Sequence, residues 1–185
     1  PTTLAKAHGL YTHVDGSRFF NAAAGLGCQL KDITTHAGVD ILSLGSTKAG
    51  MMFGEAVVVF NKELKQHIAY KHKQSMQLAS KTRFIAAQFE AMLRDETWRK
   101  HALHANAMAQ LLSQSISQYP QVRITKPVQA NAVFAELPVN WNETLQAKYP
   151  FYIWKEATNE ARLMCSFDTA DEDIISFAAM MKDLG

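Results

Sequence analysis

Cysteine is scarce in this chain. Two residues in 185, Cys28 and Cys165, are too few for a disulfide framework and lack the short paired spacing of a zinc site. Their plain reading is a pair of reduced thiols in a cytoplasmic protein. Proline and glycine are also few, 5 and 9, which excludes collagen-like and low-complexity architectures. No apolar run approaches the roughly 20 residues that a membrane-spanning helix needs. A basic-then-apolar leader is missing at Pro1, so secretion is unsupported, and neither a membrane nor an export route is expected. Charge of one sign is not in excess: 19 basic against 17 acidic residues leave a net +2, too little to mark a nucleic-acid partner. What is present is an ordinary globular mixture, 48% hydrophobic and 19% charged, enough for one full-sized domain or a domain with a small appendage.

The same scarcity organises the chain. Gly and Pro are absent from Asn61 to Tyr119, and Ala, Leu, Met, Gln and Lys fill that stretch. It therefore reads as consecutive helices, with Asn61 as a first cap and a break near Asp95-Glu96-Thr97. Its basic residues, among them Lys73, Lys81 and Arg83, read first as a solvated helix face and second as a site for an anionic cofactor group. Ahead of it, Gly9 to Val14 and Val39 to Leu44 read as strands, the first closed by Asp15-Gly16 and the second by Gly45-Ser46. Phe19, Ala22, Ala23 and Leu26 share a helical face between them. A strand, a crossover helix and a second strand predict a βαβ unit with a parallel pair. The apolar run Ala56 to Phe60 predicts a third strand, antiparallel to the second and buried on both faces. Beyond Pro120 the pattern is a small α+β module. It has strands at Val122–Thr125, Ala132–Leu137, Phe151–Lys155 and Ala161–Phe167, a short helix after Asn142, and a last helix opened by a Thr169–Glu172 capping box. The predicted division is residues 1–70, a helical connection at 71–120, and a small domain at 121–185.

Three features could carry chemistry on this scaffold. Asp15 and Lys48 each fall just past a strand of the expected parallel pair, at the carboxyl edge where α/β proteins bind ligands. Arg162 stands on a late strand whose other outward positions, Met164 and Ser166, are uncharged. A buried acid beside a lysine, among glycines that permit close backbone approach, suits pyridoxal phosphate. That cofactor needs an amine for its Schiff base and an acid to keep the ring nitrogen protonated. Read by spacing alone, Asp-Gly after a strand is more often a plain turn, and Thr-Lys after a strand is usually a surface loop.

Longer segments narrow the choice. His13-Val14-Asp15-Gly16-Ser17-Arg18-Phe19-Phe20-Asn21-Ala22 resembles the His-x-Asp-Gly-Ala-Arg-x-x-Asn-Ala signature of the threonine aldolases. These belong with the beta-eliminating lyases among the pyridoxal-phosphate enzymes of fold type I, the aspartate-aminotransferase-like class. Ser43 to Val57, with Lys48 at its centre, is similar to the lysine segment of one bacterial branch of that family. So are Gln77 to Phe84, Asn131 to Pro138 and Arg162 to Thr169, which extends the likeness over the whole chain in order.

The resemblance implies an α/β fold: part of a fold type I large domain, a helical linker and a small carboxyl-terminal α+β domain. It implies pyridoxal 5'-phosphate bound through Lys48, with Asp15 on the ring nitrogen. Arg18 and Arg162 would bind the carboxylate of an amino-acid substrate, and no metal is needed. The implied reaction splits a β-hydroxy-amino acid such as threonine into glycine and an aldehyde. An alternative is another amino-acid β-elimination, or a remnant that only assembles with partners. The likeness also leads us to expect an amino-terminally truncated form, a dimer or tetramer, with the phosphate-binding and ring-stacking residues supplied elsewhere. Within the chain, Ser46 and Thr47 are candidates to touch the phosphate, and His13 to hydrogen-bond Asp15.

Overall fold

Parallel pairing of the first two strands sets up everything in the amino-terminal part of the molecule. The computed structural model describes residues 1–185, in two compact units, Pro1–Lys100 and His101–Gly185. The helical stretch expected as a separate connection is divided between them, because the long helix α5 (Thr97–Ile116) runs across the boundary.

In the first unit, α1 (Thr2–Ala7) precedes β1 (His13–Gly16), α2 (Phe19–Gly25), β2 (Ile41–Gly45) and β3 (Glu55–Val59). The sheet order is β1-β2-β3, with β1 parallel and β3 antiparallel to the central β2, as the connection lengths predict. The register places Asp15 opposite Ser43 and Gly45 opposite Glu55. One face therefore carries Val14, Gly16, Leu42 and Leu44, of which the last three are buried, along with Phe19, Phe20 and Ala23 of α2. The opposite face carries His13, Asp15, Ser43, Gly45, Glu55 and Val57. Here the expectation for β3 fails: Val57 is 63% exposed and its neighbours are only half-buried. The face of the sheet that carries Val57 is left without a covering layer, which a fully buried strand needs on both sides.

Asp40, just before β2, ties the sheet together. Its carboxylate accepts from the Thr12 backbone N–H at 2.8 Å, the Thr12 hydroxyl at 3.0 Å and the Asn61 side-chain amide at 2.8 Å. The Asp40 carbonyl accepts the Phe60 N–H at 2.9 Å. One acid thus joins the entry to β1, the start of β2 and the exit from β3. Helices α3 (Ile68–Gln74) and α4 (Thr82–Arg94) follow, and the break before α5 falls at Asp95-Glu96 as predicted.

The second unit is a four-stranded antiparallel sheet, order β4-β5-β7-β6. Its strands are β4 (Arg123–Ile124), β5 (Ala132–Glu136), β6 (Tyr152–Lys155) and β7 (Glu160–Met164). Alternation along β5 and β7 sends Val133, Ala135, Ala161 and Leu163 into a core shared with Leu112 and Ile116 of α5. Leu145 of α6 (Asn142–Lys148) and Met181 of α7 (Asp171–Leu184) complete it. Cys165 lies at the edge of this core, where burial pushes its thiol up to about 11 and keeps it protonated. The cap of α7 sits one residue later than predicted. Asp173 reaches back to the Ala170 N–H at 3.1 Å, while the Thr169 hydroxyl accepts the Ser166 N–H at 2.7 Å. The local sequence offers an acid at each of positions 171 to 173, and the turn at Ser166–Thr169 selects among them.

Candidate active site

The chemistry-bearing residues of the first unit gather at the carboxyl ends of β1 and β2. β1 starts four residues later than the predicted strand. Asp15 is therefore its third residue and is exposed, not a buried acid just past the strand end, and the chain turns after Gly16. The Asp15 carboxylate accepts the Ser17 backbone N–H at 3.0 Å, the short-range bond that makes Asp-x-Ser a turn former. Lys48 lies in a single 3-10 turn, Thr47–Ala49, directly after β2. Because β1 and β2 are parallel, both turns open on the same edge. The Lys48 Nζ donates to the Ser17 hydroxyl at 2.7 Å. Ser17 is thus the link, its N–H bound to the acid and its Oγ to the amine.

Two glycines make this closeness possible. A Cβ on Gly45 would stand 2.7 Å from Ser17 Cα and 3.0 Å from Ser17 O, and a Cβ on Gly16 would stand 2.5 Å from the Ser43 carbonyl. Both are backbone collisions, so β1 and its turn can lie against β2 only where these side chains are missing. Around the edge, the Thr47 hydroxyl donates to the Glu55 carboxylate at 3.2 Å, and His13 Nε2 lies 2.8 Å from Ser43 Oγ. His13 therefore engages Ser43 rather than Asp15. The residue opposite Asp15 in the register is within its reach, whereas its own strand neighbour two positions on is not bonded.

Ser46 is fully buried and its hydroxyl has no hydrogen-bond partner, while Thr47 is exposed but committed to Glu55. Neither of these phosphate candidates presents a free hydroxyl to solvent. Arg18 immediately precedes α2, half-buried, three residues beyond Asp15. Lys73, Lys81 and Arg83 are exposed on α3 and at the start of α4, the solvated-face reading of the basic run. Arg162 belongs to the second unit, at the middle of β7, opposite Phe134 on one side and Tyr152 on the other. The family signature has an alanine where this chain has Ser17, so the motif itself gives Ser17 no role. The signal that pointed to more was its place two positions after an acid in a turn, where its N–H is bound to that acid and its hydroxyl is left for something else.

Comparison with known proteins places this edge in context. The profile of the beta-eliminating lyases matches residues 2–139. The chain belongs to the beta-eliminating lyase family. A low-specificity L-threonine aldolase from a Pseudomonas species is 43% identical over 179 residues, which is 96% of this chain and 51% of that protein. The enzyme of the same name from Pseudomonas aeruginosa is also 43% identical, over 178 residues, again 51% of its length. The chain thus spans about half the length of the curated relatives it matches. Among solved structures, Leishmania major threonine aldolase superposes with a TM-score of 0.88 at 29% identity, covering 99% of this chain and 54% of that one. Catharanthus roseus tryptophan decarboxylase superposes at 0.73 with 17% identity, 99% of this chain and 44% of that one, a likeness of fold alone. The architecture is that of about half of a pyridoxal-phosphate enzyme of fold type I, as expected from the family's sequence signature.

Proposed function

We propose that the protein containing this chain is a pyridoxal-phosphate-dependent carbon–carbon lyase that cleaves a β-hydroxy-amino acid such as threonine to glycine and acetaldehyde. The observation that carries this reading is the hydrogen-bonded series Asp15–Ser17–Lys48 at the carboxyl edge of a parallel strand pair. It unites the two groups the cofactor requires, and the glycines beside it let the β1 turn lie against β2 closely enough to bring those groups to one edge. Lys48 supplies the amine for covalent attachment of the cofactor carbonyl, and Asp15 the carboxylate for its pyridinium nitrogen. When bound, pyridoxal phosphate acts as the electron sink for bond cleavage at the amino acid's α-carbon. The chain's own residues hold and orient. Ser17 holds the Lys48 amine beside Asp15, and Arg18 and Arg162 offer guanidinium forks that match a substrate carboxylate. Ser46 is buried beneath the Lys48 turn and Thr47 is engaged by Glu55, so we assign the phosphate to donors outside these two hydroxyls. The relatives' greater length and the open outer face of β1-β2-β3 support placing those donors in the rest of the protein or in a second subunit of a dimer or tetramer.

The test is direct. Protein incubated with pyridoxal phosphate should turn yellow, and borohydride should fix the cofactor mass on the peptide containing Lys48. Lys48→Ala should lose both signals. Label fixed on another lysine, with Lys48 unmodified, overturns the assignment. Release of glycine and acetaldehyde from threonine supports aldol cleavage, whereas pyruvate and ammonia from serine would assign a β-elimination instead.

A further inference from the structure

The outer face of the second sheet carries an arrangement that the reading above does not use. Strand β6 is irregular: Ile153 lies opposite Ala161 and Lys155 opposite Glu160, so Trp154 is the extra residue of a bulge. Its ring packs edge-to-face on Phe134, centroids 5.7 Å apart and planes at 72°. The Arg162 guanidinium lies 4.9 Å from the centre of the Trp154 ring and 5.9 Å from that of Tyr152. Arg162 Nε is buried and has no hydrogen-bond partner. Trp154 nevertheless remains 53% exposed and Tyr152 73%, so this aromatic cluster is not an ordinary core.

Charge pairing on the same face isolates Arg162. The other arginine of this unit, Arg123, is paired with Glu136. Glu160, two residues before Arg162 on β7, accepts from the Thr125 hydroxyl at 2.5 Å and lies 3.6 Å from Lys126 Nζ. Both nearby acids are therefore engaged, and Arg162 is left with rings on its flanks and no carboxylate. A guanidinium laid on aromatic faces keeps its in-plane N–H groups available, and the ring attraction fixes its plane.

We propose that Trp154 is the positioning residue for Arg162. Seated on the β6 bulge and braced by Phe134, its indole sets the guanidinium plane so that the fork presents to the carboxylate of an amino-acid ligand. This rests on the carboxylate-binding role proposed for Arg162. Without the indole, Arg162 keeps its charge but loses its fixed orientation, and the selective penalty falls on ligands that carry a carboxylate.

The experiment compares glycine with glycinamide, which keeps the amine but lacks the carboxylate, by titrating the visible spectrum of the pyridoxal-phosphate-loaded protein. Trp154→Ala should weaken glycine about tenfold and leave glycinamide within about twofold, and Trp154→Phe should restore glycine to within about threefold. In parallel, the Arg162 Nε–H resonance of the unliganded protein should move in Trp154→Ala. A folded Trp154→Phe should stay near the parent position. Equal weakening of both ligands, or none, overturns the positioning role. Arg162→Ala tells the two ideas apart. If it does not abolish discrimination between the ligands, the carboxylate role of Arg162 falls and this inference with it. If it does, while Trp154→Ala leaves discrimination intact, only the positioning role falls.

Discussion

Asp40 shows how one side chain can determine a sheet and leave a signature in acid. The Thr12 backbone N–H is the main reason its carboxyl titrates below the ordinary value of 3.8, with the Asn61 amide, the Thr12 hydroxyl and the charge of Lys6 adding to it against the cost of burial. In the folded chain the group therefore holds its proton less tightly than when unfolded. Its stabilising contribution is complete above pH 3.8. It declines as the pH falls from there through the lower folded value, because the unfolded chain takes up the proton first. Urea midpoints measured at about pH 3 and about pH 7 should therefore differ more in the parent than in Asp40→Asn. An equal pH response in both would remove Asp40 from the account. At this scale the sequence marked Asp15, Lys48 and Arg162 by their places at strand ends and on a strand face. It did not mark Ser17 or Trp154, because their importance comes from neighbours 31 and 8 positions away.

The element that decides the first site is the closely apposed β1–β2 pair with its two terminal turns. Gly45→Ala would drive a methyl group into the Ser17 backbone, which cannot move without pulling the turn away from both Asp15 and Lys48. The expected cost is about 1–3 kcal/mol of stability, the usual range for an added methylene in a close-packed place. Borohydride fixation of the cofactor on Lys48 should fall with it. Denaturation curves and peptide mass measurements on the same preparation check the two parts. Retained stability with retained fixation would mean that the close approach is dispensable. Strand direction was legible beforehand from connection length: a helix-sized crossover permits a parallel pair, and a short link between β2 and β3 requires an antiparallel one. The exposure of β3 was not legible. A run of valines records what a strand can bury, while what it does bury depends on which layers are present.

At the scale of the whole molecule, the second unit has the more complete core. Leu145, fully buried on α6, joins the cluster built from β5, β7, α5 and α7. Leu145→Ala should cost about 2–5 kcal/mol, read as a lowered urea midpoint with unchanged slope. A loss under about 1 kcal/mol would mean that the site collapses around the smaller side chain. The first unit differs, with exposed Leu4, Leu10, Met52, Phe53 and Val57 and a sheet open on its outer face. Such a surface favours association, and light scattering on the purified protein should report a species larger than the 20.6 kDa of a single chain.

The amino-acid order by itself determined most of the elements, the parallel and antiparallel pairings of the first sheet and the carboxyl edge where an acid and an amine would emerge. These depend on local periodicity, turn chemistry and connection length, all of which are written along the chain. Only the tertiary structure decided that a serine joins those two groups and that His13 turns to Ser43 instead. It also placed a bulged tryptophan on the one arginine of its unit without an acid. Such choices follow from which atoms lie within about 3–6 Å across strands, and neither composition nor spacing records that distance.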